Sequence, residues 1–177
     1  MNAGVGHTPI VKSLIWPNEL ATQLFTAALA VQPALHHAFI ELQGELGAGK
    51  TTLVRHLLRA LGVTGRVKSP TYAVVEPYEL PGLNVWHFDF YRFNDPREWE
   101  DAGFRELFAS PGLKLAEWPE KATGFIPQAD LVITLEAMDD DVRHVILRAQ
   151  TRTGEVLLQA TNVCPPAAGQ THQAPQP

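Results

Sequence analysis

Cysteine is nearly absent from this sequence, which has only Cys164 among its 177 residues. A single thiol cannot build a disulfide framework or a cysteine-ligated zinc site, so both kinds of structure are excluded within one chain. Basic residues are also few: 14 lysines and arginines face 19 acidic residues, and they form no run. Because nucleic acids are bound through clustered basic side chains, the net charge of −5 predicts no DNA binding and no unaided grip on RNA.

Long apolar runs are missing too. No stretch approaches the roughly 20 apolar residues that a membrane-spanning helix needs, so we expect no membrane segment. The N-terminus does not combine a basic region with an apolar core, as a secretory signal would. We therefore expect a cytoplasmic protein.

The length and the hydrophobic content of 45% suit one domain. We place that domain at residues 10–162, preceded by a flexible N-terminus at 1–9. From 163 to 177 the chain is rich in proline, alanine and glutamine and has almost no apolar bulk. Such a composition cannot offset the entropy of ordering, which predicts a disordered tail.

What the sequence does contain is a phosphate-binding loop, GELGAGKT, at residues 44–51. It matches the pattern G-x-x-x-x-G-K-[ST] at every fixed position. An apolar stretch at 38–42 precedes it as a predicted buried strand. After it, leucines and valine at 53, 54, 57, 58 and 61 follow the spacing of one helix face. A strand, a glycine-rich turn and a helix start together predict a nucleotide-phosphate cradle.

Each residue type in this loop suits phosphate chemistry. Glycines allow the backbone to wrap around an anion, and successive N–H groups then point at the phosphates. We expect Lys50 to neutralise the β- and γ-phosphates and the Thr51 hydroxyl to ligate Mg²⁺. The expected nucleotide-binding residues are Glu45, Leu46, Gly47, Ala48, Gly49, Lys50, Thr51 and Thr52.

Apolar periodicity predicts an α/β fold. We expect a three-layer sandwich like those of P-loop NTPases, whose central sheet is mostly parallel, with antiparallel strands at the edges and at the C-terminal end. Helices are predicted after Asn18, from Thr51 and after Asp95; the first carries Leu20, Leu24, Ala28 and Val31 on one side. Strands are predicted at 11–16, 38–42, 73–78, 84–88, 113–116, 131–135, 142–147 and 156–159, with turns at Asp139–Asp141 and Thr153-Gly154.

Two acids stand at the ends of predicted strands, Asp89 and Glu117. Ligands of open α/β sheets bind beyond the carboxyl ends of the strands, so both acids are well placed for the site. One would hold Mg²⁺ and the other would orient the attacking water. The residues alone do not decide which acid has which role.

Several other residues have two interpretations. The loop Ser69-Pro70-Thr71 is either a plain proline turn or a switch whose Thr71 hydroxyl reaches the γ-phosphate or Mg²⁺. Arg92 either meets transition-state charge or forms a surface salt bridge. Trp118 packs near the nucleotide or serves a core or interface role. Four histidines lack metal-ligand spacing and are interpreted as ordinary: His36, His37, His56 and His87.

An ordered set of motifs resembles the TsaE family, also called YjeE. The motifs are GELGAGKTT at 44–52, VKSPTY at 67–72, VEPY at 75–78, HFDFYRF at 87–93, Asp95-Pro96 and AEWPE at 116–120. The resemblance runs from about residue 10 to about residue 160. It implies a bacterial ATPase required for threonylcarbamoyladenosine formation in tRNA, with ATP and Mg²⁺ bound at the loop.

The resemblance also implies partners and residue roles. Such proteins act beside TsaB and TsaD, and hydrolyse ATP to reset that complex between turnovers; contact with tRNA is then indirect, through the complex. Carried over by motif, Lys50 contacts phosphate, Thr51 and Glu117 are the Mg²⁺ ligands, and Asp89 is a further acid needed for ATPase activity. Thr71 belongs to the family's switch-like loop.

Two other functions fit the same loop. A small-molecule kinase would need an arginine-rich lid, for which Arg97 and Arg105 are the candidates. A nucleotide-controlled adaptor would dock a partner in its ATP state and would not require hydrolysis.

Overall fold

A computed structural model of the protein describes residues 8–162, except for 71–73, 102 and 140. Within those residues the chain forms seven strands and five α-helices. In chain order they are β1 (Ile10–Trp16), α1 (Glu19–Ala30), β2 (Phe39–Gln43), α2 (Lys50–Ala60), β3 (Val75–Leu80), β4 (Leu83–Asp89), α3 (Pro96–Asp101), α4 (Phe104–Ala109), β5 (Leu113–Glu117), β6 (Leu131–Ala137), β7 (Arg143–Ala149) and α5 (Arg152–Ala160). The expected tail at 163–177 and most of the expected flexible N-terminus lie outside the described residues.

All seven strands form one sheet in the order β1-β7-β6-β2-β5-β4-β3. The four central strands, β6, β2, β5 and β4, are parallel to one another. Antiparallel pairs complete both edges, β3 with β4 on one side and β6, β7 and β1 on the other. The expected α/β sandwich with antiparallel edges is thus confirmed, and its parallel part is confined to the four central strands.

Helices cover the sheet on both faces, which gives the three layers. One face carries α1, α2 and α5 over a large aliphatic core that includes Leu42, Leu115 and Leu147. The other face carries α3 and α4 over a smaller, aromatic core around Phe88, where Phe90, Trp99, Phe104 and Phe108 pack ring against ring. Because side chains alternate along a strand, neighbouring residues of β2 feed different cores. Within the described residues no helix is long and apolar enough to cross a membrane.

Helix α1 buries the side opposite to the stripe seen in the sequence. Its buried residues are Thr22, Phe25, Thr26 and Leu29. The Phe25 ring lies 4.9 Å from the ring of Trp16, measured between centroids, and so holds this side against β1. The stripe of Leu20, Leu24 and Val31 faces solvent instead, with 57%, 52% and 74% of each residue exposed.

The predicted strand at 156–159 is wrong, because these residues belong to helix α5. The Thr151 side chain caps that helix by accepting a hydrogen bond from the Gly154 amide, at 3.2 Å. Gly154 is therefore part of the first helical turn and not of a loop. A Cβ atom at Gly154 would lie 1.9 Å from the Asp130 carbonyl oxygen, so the helix approaches the start of β6 too closely for any side chain there.

Candidate active site

The loop between β2 and α2 turns through three glycines with positive φ. Gly44, Gly47 and Gly49 have φ angles of +140°, +81° and +106°, which residues with a Cβ rarely adopt. A Cβ at Gly44 would also lie 2.3 Å from the Leu135 carbonyl oxygen. Position 44 therefore has no space for a side chain, and the positive φ angles favour glycine at all three positions. Gly49 is the N-cap of α2, so the positive end of the helix dipole opens into the loop.

Lys50 is the first residue of α2 and is almost fully buried. Its Nζ donates to the carbonyl oxygens of Gly44 and Glu45, at 2.5 and 2.9 Å. The same Nζ lies 4.1 Å from the ring centroid of Trp118, a cation–π distance. Burial lowers the pKa of the Lys50 ammonium, and nearby carboxylates, chiefly that of Glu117, oppose that effect. The groups in direct contact with the ammonium are two backbone carbonyls and an indole ring, and none of them carries a full negative charge.

Glu117 accepts hydrogen bonds from the hydroxyl of Thr51. Thr51 Oγ1 lies 3.0 Å from each of the two carboxylate oxygens and donates to them. Glu117 ends β5 and is buried, whereas Thr51 stands in the first turn of α2. In the sheet register Glu117 is opposite Leu42 of β2 on one side and Asp89 of β4 on the other. The sheet therefore brings both strand-end acids to the same edge, as the sequence predicts.

Asp89 is half-buried beside Glu117. Its Oδ1 accepts a hydrogen bond from the Tyr91 amide at 3.0 Å, which fixes the carboxylate at the end of β4. Burial raises the pKa of the Asp89 carboxyl, and the charge of Glu117 acts in the same direction. The Tyr91 amide opposes both effects by stabilising the ionised form. A carboxylate with a raised pKa is a better proton acceptor than an ordinary aspartate.

His87 is a member of the site that the sequence interpretation missed. It is completely buried, and its Nε2 lies 2.8 Å from Glu117 Oε1. Since an ionised carboxylate can only accept, the proton of this bond belongs to Nε2. Nδ1 has no hydrogen-bond partner within the described part of the chain. The available signal was strand alternation: His87 precedes Asp89 by two residues, so both side chains leave β4 on the same face.

These groups surround an open cleft of about 410 Å³. Its lining consists of residues 46, 47 and 49–52 of the loop and helix together with Ser69, Asp89, Tyr91, Arg92, Glu117 and Trp118. Most residues expected to bind nucleotide thus line one cleft. Of the others, Ala48 is buried behind the loop and Glu45 is exposed at its start.

A smaller recess of about 90 Å³ lies on the other side of the loop. It is bounded by Ala48, Gly49 and Thr52, by Trp16 and by Arg143. The Arg143 Nε donates to the Ala48 carbonyl oxygen at 2.9 Å, so β7 supports the loop directly. Nothing in the sequence pattern pointed to Arg143, because the contact depends on how the C-terminal hairpin returns to the sheet.

The remaining expected residues divide into three groups. Arg92 and Trp118 both line the cleft, and Trp118 has a φ of +56°, a left-handed conformation that is rare for a bulky residue. Thr71 lies outside the described residues. Of the other histidines, His56 pairs with Glu19 at 2.7 Å, and the remaining two lie in the 3₁₀ turn Pro33–His37, away from the cleft.

The donor set suits magnesium. Thr51, Glu117 and Asp89 offer only oxygen atoms, which Mg²⁺ prefers, and it needs no more than one or two carboxylates when phosphate oxygens and water complete its shell. The described residues contain no group of three or more His, Cys, Asp or Glu side chains that could hold a metal ion by themselves. A cation held by these side chains would complete its shell with water or phosphate oxygens.

Comparisons with known proteins agree with this geometry. A family model described as "Threonylcarbamoyl adenosine biosynthesis protein TsaE" matches residues 16–145. The chain is 45% identical over 121 residues to the tRNA threonylcarbamoyladenosine biosynthesis protein TsaE of Haemophilus influenzae, covering 68% of this chain and 76% of that protein. It is 36% identical over 120 residues to the protein of the same name from Bacillus subtilis, covering 68% and 75%.

A solved structure is similar as well. The crystal structure of Bacillus subtilis YdiB superposes with a TM-score of 0.71 at 26% sequence identity. The alignment covers 88% of this chain and 96% of that one, so the sandwich described above is shared along nearly its whole length.

Proposed function

The chain belongs to the TsaE family of tRNA threonylcarbamoyladenosine biosynthesis, and from that premise we propose that it is a Mg²⁺-dependent ATPase serving this modification. The observation that carries the proposal is the Thr51–Glu117 contact beside Lys50. This contact joins the phosphate loop to an acid at the end of β5. A nucleoside triphosphate and its metal ion would meet at that point.

Each side chain has a role in this proposal. Lys50 leaves the carbonyls of Gly44 and Glu45 to contact the β- and γ-phosphates. Thr51 and Glu117 hold Mg²⁺, which when bound neutralises charge on the phosphate oxygens. Asp89 orients the attacking water and accepts its proton, a role that its raised pKa supports. The Tyr91 amide keeps the Asp89 carboxylate aimed at the cleft.

The nucleoside would lie on the other side of the loop. With its phosphates in the larger cleft, the ligand would extend its base toward the recess between Trp16 and Arg143. Trp16 offers an aromatic wall there. The N-terminus of α1 contributes Asn18, Glu19 and Thr22 to the same recess, so α1 would sense the nucleotide.

The proposed partner is the TsaB–TsaD complex, which ATP hydrolysis would reset between turnovers. Contact with tRNA would pass through that complex, because a chain with a net charge of −5 is poorly suited to bind polyanions. The open cleft supports a partner-dependent reaction, since it leaves Asp89 and the loop accessible from outside.

The kinase alternative has weaker support. Arg97, one of the two lid candidates, pairs with Asp95 at 2.9 Å at the start of α3. Release of inorganic phosphate without a phosphorylated metabolite would count against a kinase.

The variant Glu117→Ala distinguishes the adaptor alternative from the ATPase. It should still bind nucleotide but should lose turnover. If that variant supports tRNA modification over many cycles, hydrolysis is dispensable.

The decisive experiment measures binding and turnover separately. Calorimetry with MgATP should give a clear association for the wild-type chain and none for Lys50→Ala. Lys121→Ala, which removes an exposed lysine from the turn Pro119–Ala122, is the matched control and should bind normally. Thr51→Ala should retain nucleotide without metal but lose Mg²⁺-dependent turnover. Absence of any ATP association, with TsaB–TsaD present, would refute the proposal.

A further inference from the structure

The solvent face of α1 is apolar along its length. Leu20, Leu24, Ala27 and Val31, which we call the α1 seam, are all exposed. They lie opposite the buried side of the helix, which holds Phe25 and Leu29. A surface helix normally turns a charged or polar side to water, so a helix that is apolar on both sides is usually covered on both.

The spacing of the seam identifies what covers it. Its members follow one another at intervals of four, three and four residues. That is the a/d pattern by which one helix receives the side chains of another, rather than the broader stripe of a core-facing helix. A strand or a loop does not present knobs at this period. The geometry points to a second helix lying along α1.

The lack of charge on α1 indicates which residues the partner helix should carry. Between residues 19 and 30 the only charged side chain is Glu19, at the N-terminus. Glu19 is already engaged with His56 of α2, at 2.7 Å. The positions flanking the seam are Ala21, Gln23, Ala28 and Ala30, which are small or neutral. The partner helix therefore needs apolar residues at the same spacing and gains nothing from charged flanks.

A second copy of this chain is a poor occupant. Four side chains on a helix of about 18 Å present much less than the roughly 800 Å² per partner that a stable specific interface buries. A symmetric pair of seams would therefore not hold two copies together, and the seam is one part of a larger contact. Its position favours a partner that reads the nucleotide, because Asn18, Glu19 and Thr22 at the start of α1 line the recess beside the loop.

We propose that the α1 seam docks an uncharged apolar helix of the protein complex that this chain serves. The inference rests on the proposed function for its partner, TsaB–TsaD. Docking along α1 would couple partner binding to the nucleotide site through the packing of α1 on α2 and through the Glu19–His56 pair.

The test compares charge introduced on the seam with the same charge placed elsewhere. Leu24→Glu and, separately, Val31→Glu should each weaken binding of purified TsaB–TsaD at least tenfold, in the presence of MgATP. Gln159→Glu adds the same charge to an exposed position of α5 and should bind like wild type. Both positions are exposed, so both variants should keep a melting temperature close to that of wild type. Glutamate favours helix at position 24, and position 31 is the C-cap of α1 rather than part of its interior. Their MgATP affinity without partner should also be unchanged, since neither residue lines the cleft or the recess.

Several outcomes would overturn the inference. Both seam variants binding TsaB–TsaD within twofold of wild type would do so, as would a wild-type chain that does not bind the complex at all. A photo-crosslinking residue at position 24 should react with an apolar helix of TsaB or TsaD. Crosslinks to a strand, a loop or another copy would contradict it. The two proposals can fail separately: a wild-type chain that binds no MgATP but still docks TsaB–TsaD through the seam would refute the ATPase alone.

Discussion

His87 acts on the site through Glu117. Its Nε2 and the Thr51 hydroxyl both donate to this carboxylate, so hydrogen bonds from two residues fix its orientation. Such support around a metal ligand fixes the ligand's geometry and is often as sensitive to mutation as the ligand itself. We therefore regard His87 as a positioning residue rather than a catalytic one.

Replacing His87 with leucine should lower the proposed Mg²⁺-dependent turnover by about 10–100-fold. The cause would be a misdirected Glu117, so the Mg²⁺ concentration for half-maximal activity should rise while ATP binding without metal stays unchanged. His87→Gln keeps a donor near the position of Nε2 and should recover part of the loss. Equal Mg²⁺ dependence in wild type and His87→Leu would contradict this role.

Asp89, the acid proposed to orient the attacking water, should lower the stability of the fold. Because burial raises the pKa of its carboxyl, ionisation is less favourable in the folded chain than in the unfolded chain. Asp89→Asn should therefore raise the melting temperature by a few degrees at pH 7.5. The difference should shrink as the pH falls through the raised pKa, where the wild-type carboxyl becomes neutral too.

Thermal unfolding of both proteins from pH 4 to pH 8 checks this sign, and turnover of Asp89→Asn checks the function. If the variant is less stable than wild type at neutral pH, the hydrogen bond that the ionised carboxylate accepts from the Tyr91 amide stabilises the fold by more than burial of the charge destabilises it.

Helix α5 depends on a glycine in its first turn. Alanine normally favours helix over glycine, but at Gly154 a Cβ would overlap the Asp130 carbonyl oxygen at 1.9 Å. Gly154→Ala should therefore destabilise the fold by about 1–3 kcal/mol, the usual effect of overpacking. Gln159→Ala, at an exposed position of the same helix, is the control and should be neutral or slightly stabilising. Urea unfolding of the three proteins gives the comparison.

The elements that the sequence predicts best are those with the strictest local rules. The phosphate loop is fixed by glycine spacing, and the face of α2 by Leu53, Val54, Leu57 and Leu58, all of which are buried. Helix α5 was missed because the short run Val156–Gln159 fits a strand as well as a helix. The discriminating signal was the Thr151 cap, five residues upstream.

The face of α1 could not be chosen from the sequence because both sides of the helix are apolar. Periodicity indicates a stripe but does not say which of two stripes meets the core. Contacts with Trp16 and α2 decide the matter, and these exist only in the folded chain. For the same reason His87 was not recognised: its partner Glu117 is 30 residues away and meets it only through the pairing of β4 with β5.

At the scale of the whole molecule, the residues of the candidate active site come from distant parts of the chain. The loop follows β2, Asp89 ends β4, and Glu117 ends β5, three strands that are neighbours in the sheet but not all in sequence. A ligand that bridges these strand ends should stabilise the whole fold, because the sheet has a single continuous core on each face.

Binding of MgATP should therefore raise the melting temperature. A ligand at 100 times its Kd contributes about 2.7 kcal/mol, or about 5–10 °C for a chain of this size. Differential scanning fluorimetry with and without MgATP measures the shift, and Lys50→Ala should lose it. An equal shift in that variant would place the nucleotide elsewhere.

The charge of the molecule leads to a separate expectation for tRNA. With 14 basic and 19 acidic residues and no basic cluster in the sequence, the isolated chain should not retard tRNA in a gel at physiological salt. If the proposed route through TsaB–TsaD is right, the same assay with that complex present should retard tRNA. Retardation by the chain alone would show a direct contact that the proposed function does not include.

The indole of Trp118 lies against the ammonium of Lys50, which gives the protein a built-in optical signal. An anion that draws Lys50 away from the carbonyls of Gly44 and Glu45 also moves a positive charge off the face of this fluorophore. Emission from the native chain should then report the arrival of phosphate in real time, with no dye attached. Because Trp16 borders the recess proposed for the nucleoside, Trp118→Phe should abolish the change caused by a phosphate anion that carries no base. The rate at which Lys50 leaves the backbone carbonyls then becomes measurable.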